Sequence, residues 1–311
     1  MTIPSLLTFH DWQPEQAHEL LMLALDVKTH PQRYSNALTG KSIIALFEKP
    51  SLRTRVSFDI GINKLGGHMV YLDSQSNKLA GREDVKDMGA NFACWADAIV
   101  ARVFDHESLT VLAESSNVPV INALCDQYHP CQALADYLAM YETLGDVKGK
   151  TMAYVGDGNN VTHSLLLLGT LLGCNQVVVT PEGFEVDADI LAQAQKNAAN
   201  TGCSVVTSNS VDALYQQPNG IDVVYTDTWL SMGDDTPLAD ITAAFMPYQV
   251  NENMLEQSGA QYVMHCQPAH RDLEISGSLM DSDASLLMLE AENRMHAQNA
   301  ILVHLFEQLS H

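Results

Sequence analysis

The feature that most constrains this 311-residue chain is an alternation of two patterns that breaks once and then restarts. Apolar runs of strand character at 42–47, 68–72, 98–102 and 118–122 are separated by segments whose apolar spacing predicts helices over 52–64, 85–95, 108–115 and 130–144. Gly145-Asp146-Val147-Lys148-Gly149-Lys150 then forms a polar, glycine-bearing boundary. Beyond it, strands are expected at 151–155, 176–180, 204–207, 222–226 and 262–265, and helices over 162–172, 188–199 and 290–309. Strands joined through helices by short connections run parallel, and parallel sheets need helices on both faces. The expected fold class is α/β, with two parallel-sheet α/β domains.

Composition narrows the function classes. The chain carries 16 Lys plus Arg against 38 Asp plus Glu, a formal net charge of −22, which argues against nucleic acid as a partner. A small phosphorylated ligand remains open, because it senses only its local site. No apolar run approaches the roughly 20 residues of a membrane span. Residues 1–20 show no basic segment followed by an apolar core, so a secretory signal is not expected and a cytoplasmic location follows. The six cysteines form no Cys-x-x-Cys pair and no zinc-type cluster, so reduced thiols and no metal are expected.

Ligands of open α/β sheets bind beyond the carboxyl ends of the strands, and that is where this chain places its conspicuous polar residues. After 42–47 comes Pro50-Ser51-Leu52-Arg53-Thr54-Arg55. Pro50 breaks the strand and Ser51 can cap the following helix, so hydroxyls, a guanidinium and free backbone N–H groups meet at one helix N-terminus. That suits a phosphate dianion, and a capped helix with exposed arginines remains the other reading. Arg102 closes its strand and faces either the crevice or solvent. His129-Pro130-Cys131-Gln132 opens a helix, with Pro130 suited to the first turn, so His129 and Gln132 can address one ligand group, the former polarising a carbonyl and the latter reading an amide.

Gly156-Asp157-Gly158-Asn159-Asn160 imitates a dinucleotide fingerprint, but Val161 stands where the third glycine belongs, which disfavours a nicotinamide cofactor. Asn159 and Asn160 are left to contact a polar small molecule, or simply to shape a tight turn. Asp227 ends a strand and can hold a cationic amine, and Ser231-Met232-Gly233 follows in a loop. His265-Cys266-Gln267-Pro268 ends another strand. Neighbours on an extended chain point to opposite faces, so His265 is a poor base for Cys266 and covalent catalysis is not expected. Arg294 opens the last helix, where an ion pair with Glu290 one turn away is the simple reading.

Taken in order, these motifs resemble the aspartate/ornithine carbamoyltransferase superfamily. Ser51-Leu52-Arg53-Thr54-Arg55 and His129-Pro130-Cys131-Gln132 are similar to motifs shared by both branches. Asp227 with Ser231-Met232-Gly233, and His265-Cys266-Gln267-Pro268, resemble the ornithine-type branch. The resemblance implies a carbamoyl-phosphate domain over 1–145, completed by 290–311, and an ornithine domain over 150–289. It implies that Ser51, the Leu52 backbone, Arg53, Thr54 and Arg102 take the phosphate. Thr54, Arg102 and His129 would take the carbonyl oxygen. Gln132 and the carbonyls at Cys266 and Gln267 would hold the carbamoyl amide, and Arg294 would close over the site. Asn160, Asp227, Ser231 and Met232 would bind ornithine, with Asp227 and Cys266 orienting the attacking amine. No cofactor is implied, and a homotrimer or a multiple of trimers is. The chain departs from the common pattern at Leu52, where Thr is frequent, at Gln267, where Leu is usual, and near Lys78, where many members carry Gln.

Overall fold

The computed structural model describes residues 3–72, 83–229 and 238–309. The chain divides into two compact units, the first made of Met1–Asp11, Glu15–Ala135 and Asn293–His311, the second of Trp12–Pro14 and Asp136–Glu292. The division falls inside a helix rather than at the glycine-bearing boundary ten residues further on.

In the first stretch of chain the elements are α1 (Pro14–Thr29), α2 (Pro31–Tyr34), β1 (Ser42–Phe47), α3 (Leu52–Lys64), β2 (His68–Leu72), α4 (Val85–Phe92), β3 (Ala98–Arg102), α5 (His106–Ser116), β4 (Val120–Leu124) and α6 (Pro130–Leu144). The first unit's sheet is wholly parallel, in the order β2-β1-β3-β4. Ile43 to Phe47 of β1 and all of β3 are buried, as parallel strands covered on both faces must be. The connections turn in opposite directions on either side of β1 and β3, so the crevice between their carboxyl ends is the topological switch point of this sheet.

The second stretch comprises β5 (Thr151–Val155), α7 (Asn160–Leu171), β6 (Asn175–Val179), α8 (Ala188–Thr201), β7 (Val205–Ser208), α9 (Asp212–Tyr215), β8 (Val223–Thr226), α10 (Leu238–Phe245), α11 (Glu252–Ser258), β9 (Tyr262–His265), α12 (Gly277–Met280) and α13 (Leu287–Gln308). The second unit's sheet is also parallel, in the order β7-β6-β5-β8-β9, and its switch point lies between β5 and β8. Helix α7 is buried on every side from Val161 to Leu171, its small polar residues included. Gly169 makes this possible, because a Cβ there would lie 2.0 Å from the Tyr137 hydroxyl.

Expected boundaries shift where local geometry intervenes. β4 begins at Val120 rather than 118, because Asn117 adopts a left-handed conformation (φ 51°) to end α5 and Pro119 has no N–H to give. Helix α4 stops at Phe92 rather than 95, and the turn beyond tightens through Trp95 N–H to the Phe92 carbonyl at 3.0 Å. Helix α13 begins at Leu287 rather than 290: Leu286 N–H is still held by the Val263 carbonyl, and Glu290 N–H makes a helical bond back to Leu286. From Asn293 onward α13 belongs to the first unit. Gly61 of α3 lets it approach, because a Cβ there would meet the Asn299 side chain at 2.3 Å. No helix among the described residues is long and apolar enough to cross a membrane.

Candidate active site

In the first unit, polar groups gather at the carboxyl ends of β1, β3 and β4. Ser51 is extended (φ −154°, ψ 109°) and caps α3, its Oγ accepting from Thr54 N–H at 3.3 Å and donating to Thr54 Oγ1 at 2.9 Å. Leu52 is 78% exposed, so its backbone rather than its side chain serves this turn. The two arginines of the run part company. The Arg55 guanidinium lies 4.0 Å from the centre of the Tyr71 ring, a cation–π contact, whereas Arg53 is exposed in the first turn.

Thr54 is fully buried, and its hydroxyl oxygen also accepts from Arg294 Nη2 at 2.8 Å. With both lone pairs engaged by Ser51 and Arg294, its hydrogen is the part left to donate. Arg294 Nη1 donates to Gln132 Oε1 as well. The guanidinium therefore joins α13, α3 and α6 within the first unit, a role that helical spacing alone does not reveal. Glu290 accepts the His265 N–H at 3.0 Å.

Arg102 and His129 are both buried at about 5% exposure. Burial, then the charges of Arg294 and Arg102, hold the His129 pKa well below the usual histidine range, so the ring is neutral at physiological pH. Lys49, nearby, is pushed down by burial and then by Arg102. Both directions come first from burial and then from neighbouring guanidinium charge, a setting that favours an anionic ligand. Cys131 turns its thiol to the Asn122 carbonyl at 3.3 Å and is pushed up to about 12 by burial, so it packs the interior and leaves only its main chain to a ligand.

The second unit builds a different cluster at its switch point. Asp227, at the end of β8, is 7% exposed. Its Oδ1 accepts from Thr228 N–H at 2.7 Å and from the Cys266 thiol at 2.9 Å, and its Oδ2 accepts from Asn159 Nδ2 at 3.1 Å. Burial raises the Cys266 thiol pKa well above its ordinary value, and the Asp227, Asp136 and Glu290 carboxylates push the same way. Cys266 is thus a protonated donor, not a thiolate nucleophile. His265 faces elsewhere: its Nδ1 accepts from Gln267 N–H at 2.9 Å, which places the ring proton on Nε2, 3.1 Å from Glu274 Oε1. That bond braces Gln267, whose φ is 57°. Ligand-type atoms of Asp227, His265 and Cys266 come within 4.8 Å of one another. With both ring nitrogens of His265 engaged, hydrogen bonds already account for the trio. Asn160 opens α7 and Asn159 caps it.

Ser231, Met232, Gly233 and Lys78 lie outside the described residues. A surface cavity of about 700 Å³ in the first unit sits at the amino ends of the strands, lined among others by Lys41, Asp97 and Phe306. Its charges are paired, Lys41 Nζ lying 3.0 Å from Asp97 Oδ1, and it is remote from the switch point.

Sequence reasoning missed Glu274 and Asp136, and it named Glu290 only as a partner for Arg294, not for the His265 backbone. Asp136 carried a signal: it is a lone acid on an otherwise apolar helical stretch, and its Oδ2 accepts from the buried Tyr225 hydroxyl at 2.9 Å. Glu274 carried none.

Comparison with known proteins covers nearly the whole chain. Residues 5–142 match the family described as aspartate/ornithine carbamoyltransferase, carbamoyl-P binding domain, and residues 148–305 match its Asp/Orn binding domain. An ornithine carbamoyltransferase of Vibrio sp. (strain 2693) is 53% identical over 303 residues, 97% of this chain and 99% of that protein. The crystal structure of the Pyrococcus furiosus ornithine carbamoyltransferase superposes with a TM-score of 0.91 at 41% identity, covering 97% of this chain and 96% of that one. The anabolic ornithine carbamoyltransferase of Campylobacter jejuni superposes with a TM-score of 0.89 at 30% identity, covering 98% and 99%.

Proposed function

The chain belongs to the aspartate/ornithine carbamoyltransferase family, and we infer that it transfers the carbamoyl group of carbamoyl phosphate to the δ-amine of L-ornithine, giving L-citrulline and phosphate in arginine biosynthesis. The observation that carries the ornithine reading is the Asp227 carboxylate, fixed at the second unit's switch point by Asn159, Thr228 and Cys266.

The phosphate is taken by Ser51, the Leu52 N–H, Arg53, Thr54 and Arg102 at the amino end of α3. Helix dipole and guanidinium both favour a dianion there. As the amine attacks, the carbonyl carbon becomes tetrahedral and its oxygen gains negative charge. The Thr54 hydroxyl, Arg102 and the His129 ring donate to it, and such donors lower a barrier by about 3 kcal/mol each when aimed in advance. Gln132 holds the carbamoyl amino group and Arg294 braces both Gln132 and Thr54. Asn160, Asp227, Ser231 and Met232 take the amino-acid substrate, Asp227 as the counter-charge to an ammonium. The δ-amine must attack in its neutral form, although its free pKa is near the lysine reference of about 10.4. The buried Asp227–Cys266 pair orients it without a metal or cofactor in the reading. Phosphate leaves with the bonding electrons of the carbamoyl C–O bond, and the extra proton of the amine nitrogen passes to the departing phosphate.

The active form is a homotrimer or a multiple of it. Leu52, Val56 and Ile60 form an exposed apolar stripe at helical spacing on α3, 78%, 44% and 47% exposed, and β2 ends its sheet as an edge strand. Sedimentation of the Ile60→Glu variant at a lower mass than the parent supports this, and an unchanged mass opposes it. All six cysteines are free, which suits a cytoplasmic setting.

A citrulline assay with carbamoyl phosphate and ornithine, run beside acetylornithine, putrescine and aspartate, tests the reaction. Turnover is expected with ornithine. Turnover only with acetylornithine, or with none of the four, rejects the reading.

A further inference from the structure

We propose that Asn159 is a positioning residue that sets affinity for the amino-acid substrate by holding the Asp227 carboxylate. The proposal rests on the reading of Asp227 as an ornithine ligand. It assigns to Asn159 an intramolecular task in place of the direct ligand contact its sequence position suggests.

Asn159 uses both ends of its amide. Oδ1 accepts from Val161 N–H at 2.9 Å and from Thr162 N–H at 3.2 Å, capping α7. Nδ2 donates to Asp227 Oδ2 at 3.1 Å, across 68 residues of sequence. Ser and Asp also make good caps. Asp, however, has no hydrogen to give, and the Ser hydroxyl is shorter by one bond. Asparagine combines the cap acceptor with a donor that reaches the carboxylate.

The platform beneath it cannot drift. α7 is buried along its length, so its amino end is fixed. On the other side, Gly158 N–H bonds the Phe184 carbonyl at 2.9 Å, and a Cβ on Gly158 would lie 2.5 Å from the backbone of Glu185 and Val186. Asp227 Oδ1 is held by Thr228 and Cys266, and Oδ2 needs a donor of its own if both oxygens of the carboxylate are to be fixed. Asn159 holds it. The carboxylate then meets an incoming ammonium in one orientation and loses no freedom on binding, which is preorganisation of a binding group rather than a contribution to the chemical step.

Steady-state kinetics of the full-length protein test this, at saturating carbamoyl phosphate, with Asn159→Ser, Asn159→Asp, Asp227→Asn and the Asn159→Ser/Asp227→Asn double variant. Both position-159 variants keep a cap acceptor, so their melting temperatures should stay near the parent's. The KM for ornithine should rise about tenfold in Asn159→Ser, the usual weight of one charge-assisted hydrogen bond, and further in Asn159→Asp, where a second carboxylate faces the first. kcat and the KM for carbamoyl phosphate should change less than about threefold. In the Asp227→Asn background, Asn159→Ser should add less than about a twofold effect, because it acts through the group already removed. An ornithine KM unchanged in both position-159 variants while Asp227→Asn raises it overturns the proposal, as does full additivity in the double variant. If Asp227→Asn itself leaves the ornithine KM at the parent value, the assignment of Asp227 fails and this inference falls with it.

Discussion

The two switch points of this chain solve opposite electrostatic problems. In the first unit, cations converge: Arg102 and Arg294 are buried around a neutral His129, which burial and then both guanidinium charges depress, and Lys49 is depressed by burial and then by Arg102. In the second unit an anion is enclosed by donors, with three hydrogen bonds on Asp227 and a thiol held protonated beside it. The first cluster gathers buried positive charge suited to an anion, whereas the second offers a carboxylate, fixed by three hydrogen bonds, to a cation. The difference matches the order of chemistry: an anionic donor whose leaving group must be stabilised, and a cationic acceptor that must be oriented without being trapped.

The largest expected effect comes from removing the exposed cation at the first site. Arg53→Ala should lower kcat/KM for carbamoyl phosphate on the order of a thousandfold while the melting temperature stays close to the parent's, because its side chain packs against little. Near-normal carbamoyl-phosphate affinity in a binding titration would mean that α3's backbone and the buried arginines suffice.

His129→Asn should cost about a hundredfold in turnover through the loss of an aimed donor. It also carries a pH signature. The folded-state pKa of His129 is depressed, so as pH falls below about 6.5 the unfolded chain takes up a proton that the folded chain refuses. Stability is therefore full above that pH and falls toward acid, with a slope from this residue of up to about 1.4 kcal/mol per pH unit. Denaturant titrations of ligand-free protein at pH 7 and pH 5 should show the parent losing more stability than the Asn variant. Equal losses would place His129 in a less positive setting than the one described.

A smaller effect separates the thiols. Alkylation at mildly alkaline pH followed by peptide mass analysis should label exposed Cys94 and spare Cys266, whose protonated form is favoured by burial and by Asp227. Fast labelling of Cys266 would break the contrast between the two sites by making the second reactive rather than merely orienting. Smallest of all, Ser51→Ala should cost about 1 kcal/mol of stability for the lost cap on α3. A thermal melt would register it, and a loss in carbamoyl-phosphate affinity beyond the cap effect would show the hydroxyl at work on the ligand.

Much of this arrangement was legible from local pattern. Strand 42–47, helix 52–64 and helix 130–144 have the expected bounds, because apolar period, Pro50, Ser51 and Pro130 are local signals and the backbone obeys them locally. The placement of Ser51, Arg102, His129, Asp227 and Cys266 at strand ends followed from the same reading, since a polar residue that closes a buried strand has few places to go. What one sequence cannot carry is the partner of a side chain far along the chain. Arg294 reaches Thr54 across 240 residues, and Glu290, one turn before it on the helix, bonds the His265 backbone. Asn159 is a cap by its local sequence and a holder of Asp227 only through the fold. Glu274, which braces His265, has no periodic relation to it at all. Hydrophobic period and capping depend on residues a turn apart, and so the sequence by itself determined the elements, their order and the residues at their ends. Hydrogen bonds between distant side chains depend on how the buried faces pack, and only the tertiary structure decided which donor met which acceptor.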